Sequence, residues 1–277
     1  LSAFARLVGE RPPGAANVVM SCTCDEESTV MGVSDLVTMW TDPDRRSKTL
    51  SSRPDAAVVA EPTGLDIVIA HRGATRWKIK TSGVACHSSR PEEGINAIYR
   101  MAKVLDAVEG YGGHLPKTVP QKRLRGPATI SVGRIEGGTS VNTVPDWCTI
   151  EIDRRVIPGE DSMAVIDQLD AYLREHVEFD IEHQPPWSTG MPLADDDNGP
   201  LADRLMRFVT PVAGEREKIG VAYGTHASRI AAAGVPSVVF GPGSIDQAHT
   251  KDEWIEIDQL EKAAEIYFRF CVDGARL

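Results

Sequence analysis

At 277 residues, 42% of them apolar and 25% charged, the chain is long enough for one large or two smaller hydrophobic cores. It has no low-complexity tract and no apolar run that could cross a bilayer, and its net charge of −10 argues against nucleic acid or an anionic membrane surface as a partner. Its five cysteines, odd in number and scattered, make no disulfide framework, so a reducing, cytoplasmic location is expected.

The opening LSAFARLVGE carries Leu1, Phe4, Leu7 and Val8 at helical spacing, with neither an initiator Met nor a signal-peptide pattern. A helix over 1–9 is predicted, and with it an N-terminally truncated protein whose first part lies ahead of Leu1. An apolar run over 17–24 predicts a strand that ends at the acidic Asp25-Glu26-Glu27. Cys22 and Cys24 alternate on it and read as buried thiols. A helix from Ser28 to about Trp40 and a short strand, Ala56 to Ala60, come next. Strands alternating with helices imply βαβ units and a largely parallel sheet, which binds ligands beyond the carboxyl ends of its strands.

From about 68 to 183 the rhythm changes. ATRWKIKTSG reads as a strand, GINAIYRMAKVLDAV as a helix with Ile95, Ile98, Ala102 and Leu105 on one face, and PATISVGRIEGG and CTIEIDRRVI as two strands. The helix DSMAVIDQLDAYLREHV and the strand EFDIEH complete a β-α-β-β-α-β order, the ferredoxin-like arrangement. The last zone returns to α/β. It has a helix at 198–210, helical THASRIAAAG, a strand VPSVVF ending in GPGS, and a final helix from Asp258 with Glu261 completing a capping box. The expected fold is thus an α/β catalytic domain with a mixed, largely parallel sheet, made of residues 1–67 and 184–277. It is interrupted by an inserted ferredoxin-like α+β domain over 68–183.

A carboxylate just past a buried strand loses solvation unless it is paired or binds a cation. Glu27, Glu61 and His249 all occupy such strand ends, and two carboxylates with one imidazole suit zinc or a similar divalent ion. Glu26 beside them could activate water as a general base. Each acid could equally cap the helix that follows it. Cys86 and His87 are adjacent on a strand and point to opposite faces, so they make no nucleophile pair. His71, His114, His176 and His183 read as surface or satisfied histidines, and GGTS lacks the lysine and context of a phosphate loop.

Five segments in order, DEEST, EPTGL, GVACHSSRPEEGINAI, GGTSVNTVPDWCTIEIDRR and GPGSIDQAH, resemble one family from about residue 16 to 260. It is the zinc-dependent amidohydrolase/peptidase family of acetylornithine deacetylase, succinyl-diaminopimelate desuccinylase, aminoacylase and carboxypeptidase G. EPTGL and GPGSIDQAH lean towards acetylornithine deacetylase-like members. The resemblance implies a zinc-peptidase-like catalytic domain and a lid and dimerisation domain. It implies Glu26 as general base, Glu27 and His249 as ligands of one metal ion and Glu61 as a ligand of the other. His87 is implied as a lid histidine that serves the other subunit of a homodimer and stabilises the oxyanion. Asn142 and Arg155 are implied as lid contacts to substrate, and Arg229 and Gly243 as holders of its carboxylate end. His226 stands where relatives commonly carry an acid or amide, and reads as a specificity position.

The family's His-x-Asp motif and bridging Asp have no counterpart, so three of its five metal ligands are present. Both missing parts are expected ahead of Leu1. Two zinc ions, or cobalt, are expected in the complete enzyme, with partial or no metal held by residues 1–277 alone, which by themselves are expected to be inactive. The implied activity is metal-dependent hydrolysis of the amide of an N-acyl amino acid or short peptide. The alternatives are a dipeptidase, aminopeptidase or carboxypeptidase of the same family, and a non-catalytic member without a complete metal site.

Overall fold

The computed structural model describes residues 1–27, 29–45, 47–50, 52–118, 127–194 and 197–274, with the side chains of 116–118 left aside. The chain divides into two compact units, one made of Leu1–His71 with Leu193–Leu277 and the other of Arg72–Pro192.

The first unit holds helices α1 (Ser2–Glu10) and α2 (Met31–Thr41) and strands β1 (Ala57–Val59) and β2 (Ile67–His71). After the second unit come α5 (Gly199–Ala213), β8 (Lys218–Val221), α6 (Ala227–Ala232), β9 (Ser237–Val239) and α7 (Ile257–Arg269). The strands form one sheet in the order β1-β9-β2-β8. β1 runs parallel to β9 and β2 parallel to β8, while β2 meets β9 antiparallel. The sheet is therefore mixed and largely parallel, as expected. Successive strand residues point to opposite faces: Ile67, Val238 and Phe240 pack with Leu201, Leu205, Val209 and Ile266, and Val68 and Val239 pack with Ala227. Helices on both faces account for the largely apolar sequences of these strands. The β2–β9 junction has a single register pair, Val68 with Val239. Buried Asn198 bridges it, donating to Ile69 O at 3.1 Å and accepting from Ser237 N at 2.8 Å.

The second unit comprises β3 (Gly73–Ser82), α3 (Ala97–Thr118), β4 (Thr129–Gly137), β5 (Trp147–Val156), α4 (Ala164–His176), β6 (Ile181–His183) and β7 (Ser188–Gly190). Its sheet order is β4-β5-β3-β6 with every pairing antiparallel, and β7 joins β3 further along the same strand. This is the ferredoxin-like arrangement expected. Trp77, Ile79, Ile150 and Ile152 form a core with Met101, Val104, Val108, Leu169 and Leu173 from the two helices.

Several local expectations are corrected. Residues 17–24 form no strand, because an apolar run becomes one only where a neighbouring strand pairs its backbone, and no described strand does. Cys22 and Cys24 are accordingly exposed. The buried stripe of α3 is Ala97, Met101, Val104, Val108 and Leu115, whereas Ile95 and Ile98 are exposed. The helix has two apolar stripes, and the sheet covers only one. Helix α7 begins at Ile257 with no side-chain cap, since the Asp258 carboxylate pairs instead with Lys262 at 2.7 Å. β2, β7 and β8 were not anticipated. β2 is a continuous apolar run without alternation, and β7 and β8 are only three and four residues long. The expected start of α2, Ser28, lies outside the described residues.

His183 lies against the core of the second unit, accepting the Trp77 indole N–H through Nδ1 at 3.1 Å. Burial holds its imidazole below the usual histidine range, with nearby Asp170 pulling the other way. Such a histidine takes a proton more readily when unfolded. Its contribution to stability is therefore complete above pH about 6.5 and is lost as pH falls below that towards its folded value. Unfolding free energies measured between about pH 7.5 and 5.5 are expected to fall less steeply in His183→Gln than in the wild type.

Candidate active site

The first unit brings four of the predicted residues into one electrostatic group. Glu26 and Glu27 stand in the turn that leads into α2, Glu61 follows β1, and His249 follows β9 through the GPGS turn. His249 Nε2 is 3.4 Å from Glu27 Oε1, and both side chains are largely exposed. Burial raises the Glu26 carboxyl, Glu27 raises it further, and His249 opposes the shift. Glu61 is pushed up to about 7, first by burial and then by the charges of Glu26 and Glu27. Three carboxylates thus lie within electrostatic reach of one another, and Glu61 is driven towards its neutral form by burial first and by its neighbours' charge second.

The close approach of two motifs explains how Glu61 comes to this place. The EPTG turn accepts and donates bonds with the GPG turn: Gly64 N–H to Gly243 O at 2.7 Å, Leu65 N–H to Gly241 O at 3.1 Å, and Gly241 N–H to Thr63 Oγ1 at 3.1 Å. A Cβ on Gly241 would stand 2.5 Å from Glu61 O, so only glycine lets the two backbones meet. Gly241→Ala is therefore expected to cost about 1–3 kcal/mol through overpacking, read as a lower denaturation midpoint together with weaker binding of added zinc or cobalt. Gly243 is buried with φ +86, its N–H donating to Gln259 Oε1 at 2.9 Å.

The other predicted residues are dispersed. Arg229 is half-buried on α6. His226, the residue before α6, is only 7% exposed, with Nδ1 2.9 Å from Thr23 Oγ1. In the second unit, His87 and Asn142 come together: Ser88 N–H donates to Asn142 O at 3.0 Å, and His87 bridges to Thr143. His87 is exposed, and its Nδ1 accepts the Ser89 N–H at 3.2 Å. That bond places the proton of the neutral ring on Nε2, leaving an outward donor. Arg155 is held by Asp153 at 2.8 Å. Sequence reasoning passed over Tyr223, whose hydroxyl donates to Pro62 O at 3.4 Å and whose pKa burial and Glu61 push up to about 12. Nothing in YGTHAS marks that tyrosine, because its neighbourhood is created by the distant EPTG turn.

Glu27, Glu61 and His249 are a donor set that suits a divalent ion, and the charge pressing on Glu61 is of the sign a cation offsets. Among the described residues, however, no three or more such side chains are gathered closely enough to hold an ion. The residues fit in kind, and the closest of them stand as a pair.

Known proteins resemble the chain in both sequence and fold. Residues 69–180 match the family model of a peptidase dimerisation domain. The chain is 31% identical over 255 residues to acetylornithine deacetylase of Pectobacterium carotovorum subsp. carotovorum (strain PC1), covering 88% of this chain and 61% of that protein. It is 29% identical over 262 residues to acetylornithine deacetylase of Myxococcus xanthus, covering 92% and 64%. Among solved structures, aminopeptidase PepT from Bacillus cereus ATCC 10987 is similar with a TM-score of 0.68 at 22% identity, covering 99% of this chain and 68% of that one. The chain spans less than two thirds of the length of these curated relatives. These similarities agree with the family resemblance carried by the five motifs: the chain is similar in sequence to acetylornithine deacetylases and shares its fold with aminopeptidase PepT.

Proposed function

We propose that the protein is a metal-dependent amidohydrolase that cleaves an N-acyl amino acid to a carboxylate and an amine, in the manner of an acetylornithine deacetylase. The observation that carries this reading is the gathering of Glu26, Glu27, Glu61 and His249 from three separate stretches of the first unit. Glu27, Glu61 and His249 are the residues that would hold the metal, zinc in the first instance. A divalent ion there supplies Lewis acidity, polarising a carbonyl and making water a stronger acid. Glu26 takes the proton of the attacking water on its carboxylate and returns it to the leaving nitrogen. Its pKa is raised by burial and by Glu27, the direction that favours a group that must both accept and release a proton. Arg229 and Gly243 serve the carboxylate end of the substrate. Asn142 and Arg155 keep the substrate-binding roles that the family resemblance implies, and His87, with its Nε2 donor, keeps the role of oxyanion-stabilising lid histidine.

In this reading the second unit is the lid and dimerisation domain. Its β4 is an edge strand of nine residues that exposes Ile135, and α3 exposes Ile98 and Tyr99. Such an edge is a template for pairing with a second copy. The reading is tested on the protein encoded by the complete gene, by metal analysis before and after chelation and by hydrolysis of acetylornithine, succinyl-diaminopimelate and dipeptides. Zinc- or cobalt-dependent release of amine from acetylornithine supports it. Cleavage confined to dipeptides moves the assignment to a peptidase, and inactivity throughout overturns it.

A further inference from the structure

The two glutamates at the centre of the proposed site stand on a stretch that no sheet holds, since 17–27 pairs with no strand among the described residues. Their placement depends on a few specific anchors. Downstream, Asp25 adopts φ 65, its carbonyl accepts the Val30 N–H at 2.8 Å, and its carboxylate accepts the Thr29 N–H at 3.3 Å. The Cys24 backbone also lies so close to Gly32 that a Cβ there would stand 2.5 Å from it. These contacts fix the turn to the start of α2. Upstream, Thr23 Oγ1 lies 2.9 Å from His226 Nδ1. Glu26 and Glu27 lie inside the turn that Asp25 closes onto Thr29 and Val30, and Thr23 stands two residues before that turn begins to hold them.

The upstream anchor is rigid on its far side. His226 is 7% exposed, and its neighbour Thr225 is bonded to the fully buried His71 at the end of β2. The Thr225 N–H donates to His71 Nε2 at 3.3 Å, and Thr225 Oγ1 lies 3.1 Å from the same atom. Thr225 Oγ1 also accepts the Ala227 N–H at 3.2 Å, which joins this frame to α6. His226 Nε2 is buried without a hydrogen-bond partner among the described residues, so Nδ1 is where its ring makes its polar contact. A side chain in that position is poorly placed to select substrates and well placed to hold a neighbour.

We infer that His226 is a positioning residue: its imidazole, set in the His71–Thr225 frame, latches Thr23 and thereby fixes where Glu26 and Glu27 stand. The inference rests on the reading of those glutamates as base and metal ligand. It departs from a specificity role for His226, because what the ring touches is the protein's own loop.

The test uses Thr23→Val, Thr23→Ser, His226→Ala and the Thr23→Val/His226→Ala pair in the protein encoded by the complete gene. The first readout is the rate at which a glutamate-specific protease cuts after Glu26 and Glu27, which reports local opening of the loop whatever the protein's activity. Thr23→Val and His226→Ala are each expected to speed cleavage roughly three- to tenfold, the effect of losing one hydrogen bond. The double variant should be no faster than the faster single one, and Thr23→Ser, which keeps the hydroxyl, should match the wild type. The second readout is amide hydrolysis, where kcat should fall in Thr23→Val with KM little changed and recover in Thr23→Ser. Unchanged cleavage in Thr23→Val, or effects of the two single variants that simply add, overturn the latch. Faster cleavage with unaltered kcat overturns the positioning role. If the wild type hydrolyses no amide, it is the functional reading that fails, and the cleavage series still decides whether the latch exists.

Discussion

Replacing Glu26 with glutamine is expected to lower kcat for amide hydrolysis by about 10²- to 10⁴-fold, the usual contribution of a positioned general base. Glutamine keeps the shape of the side chain and its place near Glu27 and His249 but cannot carry the proton from water to the leaving nitrogen. Glu26 is not one of the proposed ligands, so metal content and KM should change little. Glu27→Gln is the contrasting case: it alters the residue that approaches His249 at 3.4 Å, and should weaken metal binding as well as rate. Metal content measured beside steady-state kinetics separates the two. A Glu26→Gln enzyme that kept its rate to within a few fold would remove Glu26 from the proton-transfer role.

The largest expected effect on stability lies in the second unit. Arg154 falls on the inward phase of β5, in the same row as Cys148, Ile150 and Ile152, and its side chain is completely buried. Its charge is met by Glu160, Nη2 to Oε1 at 2.6 Å, while Glu160 Oε2 accepts the Ile157 N–H at 2.9 Å. Arg154 Nη1 donates to the Arg155 carbonyl. Removing the carboxylate leaves a guanidinium inside the unit without its counter-charge, and Glu160→Ala is expected to cost about 3–5 kcal/mol. Pairing Glu160→Gln with Arg154→Met, which takes away both charges, should recover much of that loss, because a buried ion pair adds little beyond an apolar replacement. Denaturant unfolding of the three proteins reads both expectations. A loss below about 1 kcal/mol in Glu160→Ala would place the pair in solvent-like surroundings.

The pair Arg154–Arg155 shows the limits of reading this chain as a string. The DRR motif pointed to Arg155 through family resemblance, and Arg154, its more deeply buried neighbour, attracted no notice. Strand alternation assigns them to opposite faces, but only the packed unit shows which face is inside. The same limit appears at α3, where the sequence points to Ile95, Ile98, Ala102 and Leu105 as the apolar face and the sheet covers the stripe through Met101 and Val104 instead. It appears again at 17–24, where apolar residues suggested a strand that no neighbour pairs.

Local chemistry along the chain was enough for the helices, for the longer strands of the second unit, and for the change from α/β to a ferredoxin-like arrangement and back. These depend on spacing and side-chain character, which the sequence carries directly. The tertiary structure alone decided that EPTG and GPG clasp each other, that Glu61 feels the charges of Glu26 and Glu27, and that His226 faces Thr23 from 203 positions further along the chain. Close approach of distant backbones, burial and mutual repulsion of charges are properties of the folded arrangement, and no local pattern in the sequence encodes them.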